Sequence, residues 1–85
     1  MLIFKYITYQ CDDEEERIII FDMNEQHVDI FKTFKDKGCV AVSAGQIYFG
    51  NDGFVMCVGE SLTLNISSRG NVDVEVFKKV GSNAF

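Results

Sequence analysis

One stretch of the chain, residues 24–37, has clear helical periodicity, and almost everything on either side of it has the pattern of β-strands. At about 100° per residue, one side of this stretch is apolar and the other is polar. The apolar side holds His27, Val28, Ile30, Phe31 and Phe34. Asp22 or Asn24 can cap the beginning, and Gly38 is a suitable left-handed stop. The sequence therefore predicts a single helix that covers one face of a sheet.

Two strands are predicted before this helix, at residues 2–9 and 17–21, and both are apolar on both faces. Between them lie five consecutive acids, Asp12, Asp13, Glu14, Glu15 and Glu16. Five adjacent like charges repel one another and cannot be buried together, so they must stay in water. The simplest arrangement is a β-hairpin with the acidic run at its exposed tip.

Short strands and turns alternate after the helix. The predicted strands are residues 39–43, 46–49, 54–58, 62–66 and 72–76. A tight turn at Ala44–Gly45 separates the first two, and residues 50–53 are rich in the Gly, Asn and Asp typical of hairpin turns. Residues 62–66 and 72–76 alternate between apolar and polar, which is typical of strands with one face in the core and one in water. The pattern predicts an antiparallel meander.

The predicted fold class is therefore α+β: an antiparallel sheet, made of an N-terminal hairpin and a C-terminal meander, with a single helix packed on one face. We expect residues 1–80 to form one domain and residues 81–85 to form a flexible tail. One helix covers only one face, so the strands that are apolar on both faces need a second cover. Either the sheet curls into a partial barrel or a second copy packs on it as a homodimer. An aromatic content of 13% slightly favours the dimer.

The charge balance is acidic, with 13 Asp and Glu against 8 Lys and Arg, a net charge of −5. Nucleic-acid binders usually carry a basic patch, because neutralising phosphates supplies most of their affinity. Direct binding to nucleic acid or to an anionic membrane is therefore not expected. No stretch approaches the roughly 20 apolar residues that span a bilayer. A basic protein surface is the partner that this charge favours, although net charge also serves solubility.

Cys11, Cys39 and Cys57 are widely spaced, odd in number and without a Cys-x-x-Cys motif. Because no signal peptide is recognisable either, we expect reduced thiols in a cytoplasmic protein. Cys39 follows the C-terminal end of the helix, where the dipole disfavours a thiolate. Cys57 is predicted to fill space in a strand.

No motif in the sequence indicates catalysis, a cofactor or a metal, so a non-enzyme is expected. His27 has no polar partner at a known spacing, which favours a core or boundary histidine over a general base or ligand. The glycines lie between strands rather than between a strand and a helix, so no phosphate-binding loop is predicted. The acidic run lacks the glycine and the alternating ligands of a calcium loop. Its remaining interpretations are a docking site and a merely solvated turn.

Three classes of function stay open. The first is a small non-catalytic protein-interaction or regulatory module whose acidic tip, Asp12 to Glu16, docks on a basic partner. One form of this module is an inhibitor that binds a nucleic-acid-binding protein and uses its carboxylates to mimic phosphates. The second is a structural subunit of a homo-oligomer, joined through the strands that are apolar on both faces. The third is a small ligand-binding barrel, with His27, Tyr48 and Glu60 around a pocket.

Overall fold

The computed structural model describes residues 1–80, and in these residues it contains six strands and two helices. In chain order they are β1 (Leu2–Gln10), β2 (Glu16–Phe21), α1 (His27–Asp36), β3 (Val40–Phe49), β4 (Val55–Val58), β5 (Glu60–Ser61), β6 (Ile66–Ser67) and α2 (Asn71–Val80). Four strands form an antiparallel sheet in the order β2-β1-β3-β4, and β5 and β6 form a separate pair. The predicted α+β class with an antiparallel sheet is confirmed, and the sheet does not close into a barrel.

The N-terminal hairpin has the predicted form. β1 pairs with β2 from Lys5 opposite Phe21 to Gln10 opposite Glu16, and the acidic run connects them. On its other side β1 pairs with β3, so β1 lies in the interior of the sheet. A strand in that position has neighbours at both edges and needs apolar side chains on both faces, which explains its composition.

The two faces of the sheet are covered by two helices. On one face, α1 packs over a cluster of buried residues, namely Ile7, Tyr9, Phe31, Cys39 and Ala44. On the other face, α2 contributes Val74 to a second cluster with Tyr6, Ile18, Ile20, Ile47 and Cys57. The prediction of a single helix was therefore wrong. The second cover that the strands require is supplied within the chain by α2.

Helix α1 is shorter than the predicted 24–37. It begins at His27 and is preceded by Gln26, whose side chain makes no capping hydrogen bond. The side chain of Asp22 accepts a hydrogen bond from the Asn24 amide (2.8 Å) instead of capping the helix, so the chain forms a turn before α1. The C-terminal stop is as predicted, because Gly38 has a φ of 86°.

Residues 72–76, predicted as a strand, lie in helix α2. Val74 and Asp73 are buried while Val72 and Glu75 are exposed, which is the spacing of a helix face rather than of a strand. The strand predicted at residues 62–66 is also wrong, since residues 62–65 form a turn between β5 and β6. Asn65 has a φ of 58° there, a left-handed conformation that asparagine tolerates better than most residues.

The break predicted at Ala44–Gly45 does not exist, because β3 runs without interruption from Val40 to Phe49. Gly45 serves close packing instead of a turn. A Cβ atom at this position would lie 2.3 Å from the carbonyl oxygen of Val58, so only glycine lets the end of β4 approach β3 this closely.

The expectation of reduced thiols is wrong for Cys11 and Cys39, which form a disulfide. The register explains the pairing: Gln10 lies opposite Val40 in the β1–β3 ladder, and one further step places Cys11 opposite Cys39. Cys57 is free and buried, as expected of a residue that fills space. Neither helix in residues 1–80 has the length and apolar character to span a membrane. The predicted flexible tail, 81–85, lies outside the described residues.

Candidate functional site

The acidic run forms an ordered turn between β1 and β2. The amide of Glu14 donates to the carbonyl oxygen of Cys11 (3.1 Å), and the side-chain amide of Gln10 donates to the carbonyl oxygen of Glu14 (2.5 Å). Glu14 has a φ of 61°. The side chains from Asp12 to Glu15 are exposed and Glu16 is half-buried. We call Asp12 to Glu16 the acidic turn.

Arg17 holds one carboxylate of the acidic turn. Its two terminal nitrogens donate to the two oxygens of Asp13 at 3.1 and 2.5 Å, and Glu15 lies 3.8 Å away. The hydrogen bonds from Arg17 lower the pKa of Asp13, so its carboxylate stays charged to lower pH. A two-pronged contact of this kind fixes the direction of the side chain as well as its charge.

Arg69 holds the other end of the acidic turn. Its Nη2 atom lies 2.5 Å from Oε1 of Glu16, and its Nε atom lies 2.8 Å from Oδ1 of Asp73 in α2. One guanidinium therefore joins the start of β2 to the first turn of α2. Glu16 and Arg69 are about one-third exposed, whereas Asp73 is completely buried.

The carboxylate of Asp73 is satisfied by four donors. Oδ1 accepts from Ser43 Oγ and Arg69 Nε, both at 2.8 Å. Oδ2 accepts from Tyr6 Oη (2.5 Å) and from the backbone amide of Arg69 (2.8 Å). Thr8 extends this polar cluster through a hydrogen bond to Ser43. A buried charge with every lone pair engaged holds its surroundings in one arrangement, so Asp73 fixes α2 on the sheet.

Burial also affects two weak acids next to Asp73. Burial raises the pKa of Cys57 to about 12, and the charge of Asp73 adds to this effect. Burial, followed by the hydrogen bond to Asp73, raises the pKa of Tyr6. Both groups therefore stay protonated at neutral pH. Cys57 is a poor nucleophile in this state, since the thiolate is the reactive form.

A cavity of about 290 Å³ lies between the acidic turn and α2. Its lining is Glu14, Glu15, Glu16, Val76 and Lys79. The acids are on one wall and Lys79 is on the other, so the carboxylates near the cavity already face one positive charge. Asp12 is exposed and does not line the cavity, so its charge is available to a partner.

The three polar residues suggested for a ligand pocket do not meet. His27 is buried between α1 and β3, where its Nε2 atom lies 3.1 Å from the carbonyl oxygen of Gly45. Tyr48 lies in β3 opposite Met56, and Glu60 is exposed in β5. None of the three cavities beside the acidic turn and α1 is lined by any of these residues. His27 is thus the core histidine that its sequence position predicts.

The burial of His27 makes stability depend on pH. Burial lowers the pKa of His27 below its ordinary value of about 6.5. The folded protein holds this imidazole in its neutral form. The stability that depends on the neutral imidazole is therefore complete above pH 6.5 and is lost as the pH falls from there through the pKa of His27 in the folded state. We expect the free energy of unfolding, measured by urea denaturation, to fall by up to about 1.4 kcal/mol per pH unit in this window. His27→Gln should remove this component, since the chain has 1 histidine; an unchanged slope between pH 7 and pH 5.5 would contradict the assignment.

The structure joins one of the five predicted acids, Glu16, to residues that the sequence did not single out, namely Arg69 and, through it, Asp73. The alternating pattern of residues 72–76 predicted a strand with Asp73 on its solvated side, and Arg69 fell between two predicted strands. The available signal was the series Gly70, Asn71 and Asp73, which is typical of a helix beginning with an acid in its first turn.

In residues 1–80, no group of three or more His, Cys, Asp or Glu side chains is arranged to hold a metal ion. The chain matches no known protein family, no curated protein and no solved structure.

Proposed function

We propose that the protein is a small, non-catalytic interaction module that docks on a basic surface of another protein through the acidic turn. The observation that carries the proposal is the set of contacts that hold this turn in one conformation. Arg17 fixes Asp13, Arg69 fixes Glu16, and the disulfide fixes Cys11 directly before the turn. A binding segment that is already ordered loses little conformational entropy on association, so more of its interaction energy appears as affinity.

The charge of the turn defines the partner class. Exposed carboxylates speed the encounter with a basic surface and exclude acidic ones. Basic surfaces of this kind are typical of nucleic-acid-binding proteins, whose affinity comes largely from contacts with phosphates. The regulatory form of the proposal is that the carboxylates occupy those phosphate sites, so that DNA or RNA and this protein compete for one partner.

The arginine contacts indicate which acids to change. Asp13 and Glu16 are held by Arg17 and Arg69, so removing them would disturb the turn itself. Asp12→Asn, Glu14→Gln and Glu15→Gln together remove three charges and leave the two short ion pairs in place. A matched control changes three exposed acids elsewhere, by Asp29→Asn, Asp36→Asn and Glu60→Gln. Each triple variant raises the net charge from −5 to −2.

The experiment starts with affinity capture from host lysate at low and high salt, followed by mass spectrometry. Each captured protein is then purified, and its affinity is measured by calorimetry. We expect a basic partner whose affinity falls about tenfold or more with the acidic-turn variant, changes little with the control variant, and weakens with salt. Competing DNA should displace the protein if the turn mimics phosphates. Equal affinities of the two variants would show that net charge, rather than the acidic turn, drives binding.

A cytoplasmic location remains part of the proposal, and the disulfide gives it a test. The Cys11–Cys39 disulfide counts against this location, since disulfides persist mainly in oxidising compartments. If the location is right, host cells contain a reduced fraction in which Arg17 and Arg69 alone hold the acidic turn. Acid quenching of host cells followed by thiol alkylation would measure the reduced fraction. A fully oxidised population would place the protein outside the cytoplasm.

A further inference from the structure

A groove runs beside α1, on the face of the sheet opposite α2. One of its walls is α1, and the other is formed by Leu64 and Ile66, which pack against the apolar cluster that α1 covers. Two cavities, of about 290 and 360 Å³, make up the groove. Phe31, Lys35 and Leu64 line both cavities, so the two are continuous. We call this depression, between α1 and residues 64–66, the α1 groove.

Most of the lining of the α1 groove is apolar and in reach of solvent. Val28, on α1, is 43% exposed, and Val40, at the other end of the groove, is 59% exposed. Leu64 and Ile66 between them are half-buried. Small-ligand sites have volumes of about 300–1,000 Å³, and the two cavities are at the lower end of this range. The groove therefore suits the hydrocarbon part of a small molecule.

Two lysines on α1 make the α1 groove positive. Lys32 and Lys35 are exposed and three residues apart, so they lie on the same side of the helix. In residues 1–80, neither ammonium group is in an ion pair. Of the described residues that line the groove, one is an acid, Asp29, and two lysines against one aspartate leave a net charge of +1. This charge balances a single carboxylate, in a chain whose net charge is −5.

The charges at the two ends of the α1 groove set the orientation of an anionic ligand. Asp12 lies close to Gly38, since a Cβ atom on Gly38 would be 4.0 Å from its Oδ1 atom. Gly38 is two residues before Val40, so the Val40 end of the groove is near a negative charge. A carboxylate is repelled from that end and attracted to the two lysines, whereas a hydrocarbon chain is indifferent to Asp12.

We propose that the α1 groove binds a medium-chain carboxylic acid. The carboxylate lies between the ammonium groups of Lys32 and Lys35, which donate hydrogen bonds to its oxygens. The hydrocarbon chain lies along Leu64 and Ile66 toward Val40. Lysine side chains pack their methylene groups on apolar surface and keep the ammonium group in water, so these two lysines contact the chain as well as the carboxylate. The proposal does not rest on the docking function of the acidic turn.

The test is an NMR titration of the full, isotope-labelled chain with hexanoate, octanoate and decanoate, each below its critical micelle concentration. We expect the amide signals of Phe31, Lys35, Leu64 and Ile66 to shift together. A fully buried CH₂ group raises affinity about fourfold, and an open groove buries roughly half of it, so affinity should rise about twofold per added CH₂. Octanol, which has no charge, should bind about fivefold more weakly than octanoate.

Lys35→Met removes one charge and keeps an apolar side chain of similar length. This variant should bind octanoate about threefold more weakly than the wild-type protein and should bind octanol within about twofold of it. Lys37→Met is the matched control, because Lys37 is exposed, directly follows α1 and lines neither cavity of the α1 groove. It should leave both affinities unchanged. The readout is a ratio of two affinities in each folded variant, and a loss of stability alone does not reproduce it.

Octanol that binds the wild-type protein as tightly as octanoate would overturn the proposal, as would equal octanoate affinities of the two lysine variants. The other occupants of the groove give different results. If the same amide signals shift with protein concentration alone and sedimentation shows a dimer, a second copy covers the groove. If they shift with vesicles of anionic lipid but not with the free acids, a membrane surface does. Either result would also overturn the proposal.

Discussion

Asp73→Ala is expected to lower the free energy of unfolding by about 3 kcal/mol, at the lower end of the range for removing one partner of a buried ion pair. A chain of this size has roughly 5–10 kcal/mol in total, so a large part of its stability would be lost. The lower end of this range applies because Arg69 is partly exposed and, in the Asp73→Ala variant, still has Glu16 as an ion-pair partner.

The cost arises from the groups that Asp73 leaves behind. Tyr6 and Ser43 are fully buried and donate to this carboxylate. Without it, Ser43 keeps its contact with Thr8 and Tyr6 keeps Ser68, whose Oγ lies 2.6 Å from the phenol oxygen. The amide and Nε of Arg69 lose their acceptors. Buried donors without acceptors cost about 1–3 kcal/mol each, and the remaining contacts offset part of this loss.

Urea denaturation followed by circular dichroism measures the effect, with Glu75→Ala as the control. Glu75 lies in the same helix but is exposed, and its nearest cation is Lys78 at 4.0 Å. We expect this variant to change stability by less than about 0.5 kcal/mol. The stability of Asp73→Asn should fall between those of Asp73→Ala and Glu75→Ala. Asparagine keeps the shape of aspartate, but its side-chain NH₂ group would face the groups that donate hydrogen bonds to Asp73. If Asp73→Ala and Glu75→Ala were equally stable, the polar cluster would not be what fixes α2 on the sheet.

The missed helix shows how far a local pattern determines structure. Residues 72–76 alternate between valine and an acid, and β-branched residues favour strands. Five residues are too few to separate a period of 2 from one of 3.6. A longer window contains Phe77, which packs on the core beside Val76 and Val74, and two lysines that suit a helix C-terminus.

The strand prediction failed at Gly45 for a different reason. Glycine after alanine between two apolar runs is typical of a turn, and nothing nearby in sequence contradicts it. The need for glycine comes from the carbonyl group of Val58, 13 residues further along the chain. Local sequence cannot report a contact of that kind.

The acidic turn was predictable because its physics is local: adjacent charges must be solvated wherever the chain goes. The polar cluster beneath it was not, because Tyr6 and Asp73 are 67 residues apart and meet only once the sheet order is known. The same holds for the disulfide, which depends on β1 pairing with β3 across the intervening hairpin and helix.

Removing the disulfide, by Cys11→Ser with Cys39→Ser, is expected to lower the free energy of unfolding by about 3.5 kcal/mol. The bond joins residues 28 positions apart, and closing a loop of that length restricts the unfolded chain by about this amount in the chain-entropy treatment. For a chain of this size the midpoint of thermal unfolding should fall by roughly 15–25 °C.

Thermal unfolding with and without a dithiol reductant measures this effect. The wild-type protein should lose the expected stability on reduction, while the double variant should not respond to reductant. Thiol titration in denaturant gives an internal check: one reactive thiol, from Cys57, before reduction and three after it. Three thiols in the untreated protein would show that the disulfide does not form.

The disulfide also connects stability to the proposed function. Cys11 directly precedes Asp12, and Gly38 and Cys39 lie beside it, so the bond holds the first residue of the acidic turn against the end of α1. Asp13 and Glu16 keep their arginines after reduction, so we expect the second half of the turn to keep its shape while Asp12 becomes free to move. Reduction should then weaken partner binding less than the acidic-turn variant does, because the charges remain and only part of their preorganisation is lost. A reduced protein that binds as poorly as that variant would mean that the shape of the turn matters more than its charge.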